Sequence, residues 1–282
     1  MTLIVAAAAA PFDRDLDAAF GRIAALVADA RARDVRLLVL PEAALGGYLS
    51  DLGGSAPPPP ALRADGPEIS RLARLAGDLV VAVGFCEDDG ARQFNSAVAV
   101  TGGEVLAVHR KVHQPLSEDS TYAAGSSFTA FDTPVGRLGM LICYDKAFPE
   151  AARTLALDGA EIIACLSAWP AARTNPTPNL ADDRWTRRFD LFDRARALEN
   201  QVFLVSANQS GEFGSLRFVA SAKVVDPGGE VVATTGVAEG LAVATIDVAA
   251  GLAEARRSMG HLRDRRPAAY SPAAYSPLAP VR

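Results

Sequence analysis

The 282-residue chain is half apolar and carries a formal charge of −5, enough apolar material for one large multilayer domain or two small ones. Its basic residues are interspersed with acidic ones, which argues against nucleic-acid binding; the apolar opening, Leu3 to Ala10, is too short to cross a bilayer and lacks a basic leader, so it reads as a strand. Cys86, Cys143 and Cys165 are odd in number and have no CxxC spacing, which argues against a disulfide framework or structural zinc and predicts a reducing, cytoplasmic setting. Lysine occurs only at 111, 146 and 223, so each is a candidate for work that a planar guanidinium cannot do.

In chain order, Asp13 and Asp15 supply capping oxygens for a helix to about Arg33, with Leu16, Phe20, Ile23 and Val27 on one face. Val35 to Leu40 is a second strand, stopped by Pro41 so that Glu42 projects from its tip. On its own, Glu42 reads equally well as a solvated loop residue. A Gly/Pro-rich loop follows, from Gly46-Gly47-Tyr48 and from Gly53 to Pro60. Pro67 to Ala76 reads as a helix. Leu79 to Phe85, Asn95 to Val100 and Glu104 to His109 read as strands joined by Glu87-Asp88-Asp89-Gly90 and Thr101-Gly102-Gly103, so part of the sheet is antiparallel. Lys111 lies just past the third of these. The stretch from Val112 to Tyr122 has no periodicity and reads as loop, and composition alone makes Glu118 and Asp119 solvated.

Met140 to Ile142 reads as a buried strand ending at Cys143, with helix-start chemistry behind it; open α/β sheets place ligands at such strand tips. An arbitrary cysteine here is more often one more buried apolar residue. Pro149 to Leu157 is predicted helical, closed by Gly159. Glu161 to Leu166 is a strand that makes Cys165 a core residue, and Ser167 to Asn179, with Trp169-Pro170, is an irregular pocket wall. Arg184 to Asn200 is an amphipathic helix whose Trp185, Phe189, Phe192 and Ala195 share a stripe. The strand Val202 to Ala207, short strands at 221–225, 230–234 and 241–246, a helix from Ala249 to Ser258 and a Pro-rich tail complete the chain. The order predicts helices outside two mixed sheets that face each other.

Glu42 after Leu37-Leu38-Val39-Leu40-Pro41, Lys111 after Val108-His109-Arg110 and Cys143 before Tyr144-Asp145 resemble the Glu-Lys-Cys triad of the nitrilase superfamily of carbon–nitrogen hydrolases. Gly47-Tyr48, Phe148-Pro149-Glu150, Leu198-Glu199-Asn200-Gln201, Ala207-Asn208, Asp226-Pro227-Gly228-Gly229 and Arg265-Arg266-Pro267 also look like that family's landmarks, so the resemblance spans the chain. It implies an α/β fold, a four-layer α-β-β-α sandwich, over residues 1–265, with 266–282 as an extended tail, and a homodimer paired through the helices near Glu150 and Asp193. Ala220, Ser221 and Ala222 depart from the usual pattern, which bears on the pocket lining more than on the mechanism.

The chemistry the resemblance implies needs no metal or organic cofactor. A thiolate attacks an amide carbonyl only when a base takes its proton and positive groups meet the oxyanion. Cys143 would be the nucleophile, Glu42 the base, and Lys111 with the Tyr144 N–H the oxyanion donors. Glu118 resembles the additional glutamate of many members and would orient the amide nitrogen or the attacking water. Tyr48, Trp169 and Arg187 are the expected pocket residues. Tyr144-Asp145 looks like the amidase and carbamoylase branches, so the expected substrate is a small linear amide. N-carbamoyl hydrolysis is the alternative, with nitrile hydrolysis and a noncatalytic scaffold behind it.

Overall fold

The computed structural model describes residues 2–51 and 57–270. Residues 53–56 of the Gly53 to Pro60 loop and residues 271–282 of the expected tail therefore lie outside the described residues. The part of the tail that is described holds a single turn of 3-10 helix at Pro267–Ala269.

The first strand, β1 (Thr2–Ala10), is the spine. Its alternation sends Leu3, Val5, Ala7 and Ala9 to one face and Ala6, Ala8 and Ala10 to the other, and both faces are buried. It feeds α1 (Leu16–Ala32), whose start is fixed by Asp15, the side chain accepting from the N–H groups of Asp17 and Ala18. Next come β2 (Val35–Val39), α2 (Pro67–Ala76) and the antiparallel run β3 (Val80–Asp88), β4 (Gln93–Thr101) and β5 (Glu104–Arg110). Together, α1 and α2 close the face of β1 to β4 that carries Ala6, Leu38, Val81 and Val98.

A two-residue turn joins β6 (Phe131–Thr133) to β7 (Gly136–Ile142), and then α3 (Pro149–Leu157), β8 (Ile162–Ser167), α4 (Arg184–Asn200) and β9 (Phe203–Gln209) follow. The helix α3 covers Leu141, Ile163, Cys165 and Leu204 from outside. A small hairpin, β10 (Glu212–Phe213) with β11 (Leu216–Arg217), precedes β12 (Lys223–Val225), β13 (Val231–Thr234), β14 (Gly240–Asp247) and α5 (Val248–Ser258).

Among the described residues the ladder is one twelve-stranded sheet, with the path β5-β4-β3-β2-β1-β9-β8-β7-β6, β14 antiparallel along β1, β12 antiparallel along β9 and β13 antiparallel along β12. The strands expected to form two facing mixed sheets are thus joined in one hydrogen-bonded ladder. The pairs Ala9–Asn208 and Ala10–Gln209 join the tip of β1 to β9, past Ala7, the last residue of β1 that pairs with β2. The second sheet is only the β10–β11 hairpin. The largest core cluster draws on both halves, with Val5, Leu37 and Ala99 packed among Met140, Ala164 and Val205. No described helix is long and apolar enough to cross a membrane.

Candidate active site

Glu42 leaves β2 on a turn that is pressed against β3. An added Cβ at Gly84 would stand 2.4 Å from the Ala43 nitrogen and 2.6 Å from the Glu42 Cα, so only glycine lets the two backbones approach. Ala43 itself adopts φ 54°, and Gln209 donates to the Glu42 carbonyl at 3.0 Å. The carboxylate is wholly buried. Oε1 accepts from Lys111 Nζ and from Asn95 Nδ2, both at 2.7 Å, and Oε2 accepts from the Ala168 N–H at 2.6 Å.

Lys111 follows β5 and is equally buried, its backbone held by Asn95 and by Gly125. It donates to Glu42 and, at 2.8 Å, to Glu118 Oε1. Burial alone would strip the charge from this ammonium, but the two glutamates and Cys143 outweigh it and hold its pKa above the ordinary lysine range. Leu116 and Ser117 turn through the left-handed region, at φ 52° and 71°, and start the short 3-10 turn that lifts Glu118 inward. Tyr48 donates its hydroxyl to Glu118 Oε1, while Oε2 is buried without a hydrogen-bond partner. Burial raises the Glu118 pKa, Lys111 opposes this, and the Glu42 charge adds to it.

Cys143 closes β7 at φ 49°, a conformation that costs a non-glycine residue of the order of 1–3 kcal/mol and that turns its side chain out of the strand's alternation. Burial first, and then the Glu42 charge, push its thiol well above the ordinary range, against the opposing pull of Lys111 and Lys146. Glu42, Lys111, Glu118 and Cys143 are thus gathered in one buried cluster. The thiol opens on a cavity of about 330 Å³ lined by Tyr48, Gln114, Pro115, Leu116, Cys143, Tyr144, Ala168, Trp169, Pro170 and Trp185. Larger concavities elsewhere on the surface touch none of the four.

Of the expected pocket residues, Tyr48 and Trp169 line this cavity and Arg187 does not. Arg187 is exposed and donates to the Asp182 carbonyl at 2.8 Å, because two residues along a helix from Trp185 is nearly the opposite face. Trp185 lines the cavity instead, and its carbonyl accepts from Trp169 Nε1 at 3.1 Å. The aromatic stripe foreseen on α4 is only partly inward. The buried face is Thr186, Phe189, Asp193, Arg196, Ala197 and Asn200, so Asp193, expected near a pairing surface, lies inside.

Two polar clusters brace the nucleophile turn. Asp145 accepts from the backbone N–H groups of Ile142, Val112 and His113 and faces His109 Nε2 and His113 Nδ1 at 3.3 and 2.9 Å. Burial would raise its pKa, but the two histidines hold it well below the usual carboxylate range. Lys146 donates to Asp193 at 2.7 Å, Lys223 to the other oxygen at 2.9 Å, and both ammoniums lie over the Phe189 ring. The lysine scarcity pointed to these two, but nothing pointed to Asp193 as their shared partner. Asn95, a buried amide just before the apolar run Ala97 to Val100, was the readable signal for the bond to Glu42.

The sequence matches the carbon–nitrogen hydrolase family over residues 4–256. It is 34% identical over 258 residues to an (R)-stereoselective amidase of Pseudomonas sp., covering 90% of this chain and 88% of that protein. Its fold is similar to a carbon–nitrogen hydrolase from Helicobacter pylori, with a TM-score of 0.81, 26% identity, and coverage of 95% and 97%. It is also similar to a glutamate-to-glutamine variant of the amidase from Nesterenkonia sp. AN1, at TM-score 0.74, 25% identity, and coverage of 95% and 94%. That structure carries the acetamide moiety of fluoroacetamide at its active-site cysteine. The chain is an enzyme of the carbon–nitrogen hydrolase class. It belongs to the carbon–nitrogen hydrolase family of the nitrilase superfamily, on its amidase-like side.

Proposed function

We propose that the protein hydrolyses a small linear amide through a thioester on Cys143. The observation that carries this reading is the shared burial of a thiol, an ammonium and two carboxylates in one cluster whose thiol lines a small cavity. Glu42 takes the thiol proton as sulfur attacks the carbonyl, and Lys111 with the Tyr144 N–H receives the oxyanion, where losing one donor typically costs about 3 kcal/mol. The tetrahedral intermediate then expels ammonia or an amine, protonated by Glu42. Water deprotonated by the same residue cleaves the thioester and frees the acid. The open Glu118 Oε2 is an acceptor suited to an amide N–H of the substrate.

The shared core of the two halves supports a reading of the strand path as two sheet faces packed on each other with helices outside. Exposed Leu157 on α3 and Leu191 and Leu198 on α4 support pairing of two copies through these helices.

Ammonia release from short amides, N-carbamoyl amines and nitriles tests the reading. Amides should be turned over, Cys143→Ala should abolish turnover, and Glu42→Gln should slow it by about 10²–10⁴. Carbon dioxide release would mark the carbamoyl reaction instead, and full activity in Cys143→Ala would end the thioester reading.

A further inference from the structure

We infer that the cavity beside Cys143 selects amides with an uncharged, apolar acyl group and rejects those bearing a carboxylate close to the scissile carbonyl. The inference rests on the amidase reading and names its substrate class. The walls are Tyr48, Tyr144, Trp169, Trp185 and Leu116 with one neutral amide, Gln114, and among the described residues no charged side chain lines the space. Four charges act on the thiol, namely Glu42, Lys111, Glu118 and Lys146. None offers a spare positive charge, because Lys111 already bonds both glutamates at 2.7 and 2.8 Å and Lys146 bonds Asp193 at 2.7 Å.

A substrate carboxylate here would lose its hydration, gain no cation and face the field of two glutamates. An aliphatic or aryl group would instead bury apolar surface against the aromatic walls. Gln114 Nε2 is buried with no hydrogen-bond partner, a donor that suits one neutral acceptor on the acyl chain but does not replace a guanidinium. At about 330 Å³ the space stands at the small end of ligand pockets. Arg173 belongs to the wall of an adjoining outer cavity that shares Leu116, Pro170 and Trp185 with the inner one, and Arg188 lies over the Trp185 ring at 5.7 Å from its centroid without lining the inner space.

The protein has two tryptophans, Trp169 and Trp185, and both stand on the inner wall, so tryptophan emission in Cys143→Ala reads binding without turnover. Isobutyramide and benzamide are expected to bind at least about tenfold more tightly than malonamate and succinamate, with the same order in kcat/KM of the wild type. Leu116→Arg, which sets a guanidinium on the exposed rim, should narrow that ratio. Equal or tighter binding of the carboxylate-bearing pair overturns the inference, as does a silent titration with both neutral amides. Binding in the expected order without ammonia release from the wild type overturns the amidase reading and leaves the selectivity standing.

Discussion

Cys143 rests as a thiol, because burial and the Glu42 carboxylate disfavour its anion more than Lys111 and Lys146 favour it. Attack must therefore be coupled to proton transfer. The other two cysteines are also poor acids, Cys165 pushed up to about 11 and Cys86 to about 12, in both cases chiefly by burial. An unfolded chain releases thiol protons from about pH 8.5, whereas the folded one keeps them, so the unfolded state binds fewer protons and stability falls as pH rises. Lys111, raised within the fold, acts with the same sign. The loss approaches about 1.4 kcal/mol per pH unit for each thiol between the two pKa values. Urea midpoints measured from pH 8 to 11 should fall steadily, and Cys165→Ala should flatten the slope. A level profile would refute the account.

At the scale of elements, Asp145 is a clasp. It gathers N–H groups from the end of β7 and from Val112 and His113 just after β5, so the turn carrying the nucleophile and the chain leaving Lys111 keep one spacing. Asp145→Asn exchanges an ionised acceptor for an amide that must turn an N–H toward one of these donors. It should cost about 2–3 kcal/mol in urea unfolding and lower kcat by about tenfold or more. Unchanged kcat in a fully folded variant would show that the clasp does not govern the geometry. This network was not legible beforehand, since nothing in Tyr144-Asp145 or in His109 and His113 says that they converge. The helices were far easier to read. Pro67, Pro149 and the Asp183 cap fix their starts, and α2, α3 and α4 run over the expected residues. In contrast, β6, β10 and β11 span two or three residues each and exist only through their pairing, which periodicity cannot report.

For the whole molecule, the spacing of Glu42, Lys111 and Cys143 along the chain pointed to the cluster because each follows a strand whose apolar run is plain. The pocket was less readable. Whether Trp185 or Arg187 faces it depends on the angular phase of α4, and that phase is set by Asp193 and Arg196 turning inward, against composition. The same phase leaves Leu191 66% exposed on the outer surface, with Leu198 close by and Leu157 on α3. Light scattering at micromolar concentration should give twice the chain mass, and a monomer would remove the proposed pairing. The three lysines, finally, are all withdrawn from water, each against a carboxylate. Everything cationic on the described exterior is thus guanidinium, permanently charged and inert to acylating agents. While the fold holds, acetylating or ubiquitin-conjugating chemistry finds no side-chain amine on the described surface, and such marks can reach these lysines only after the active centre has already come apart.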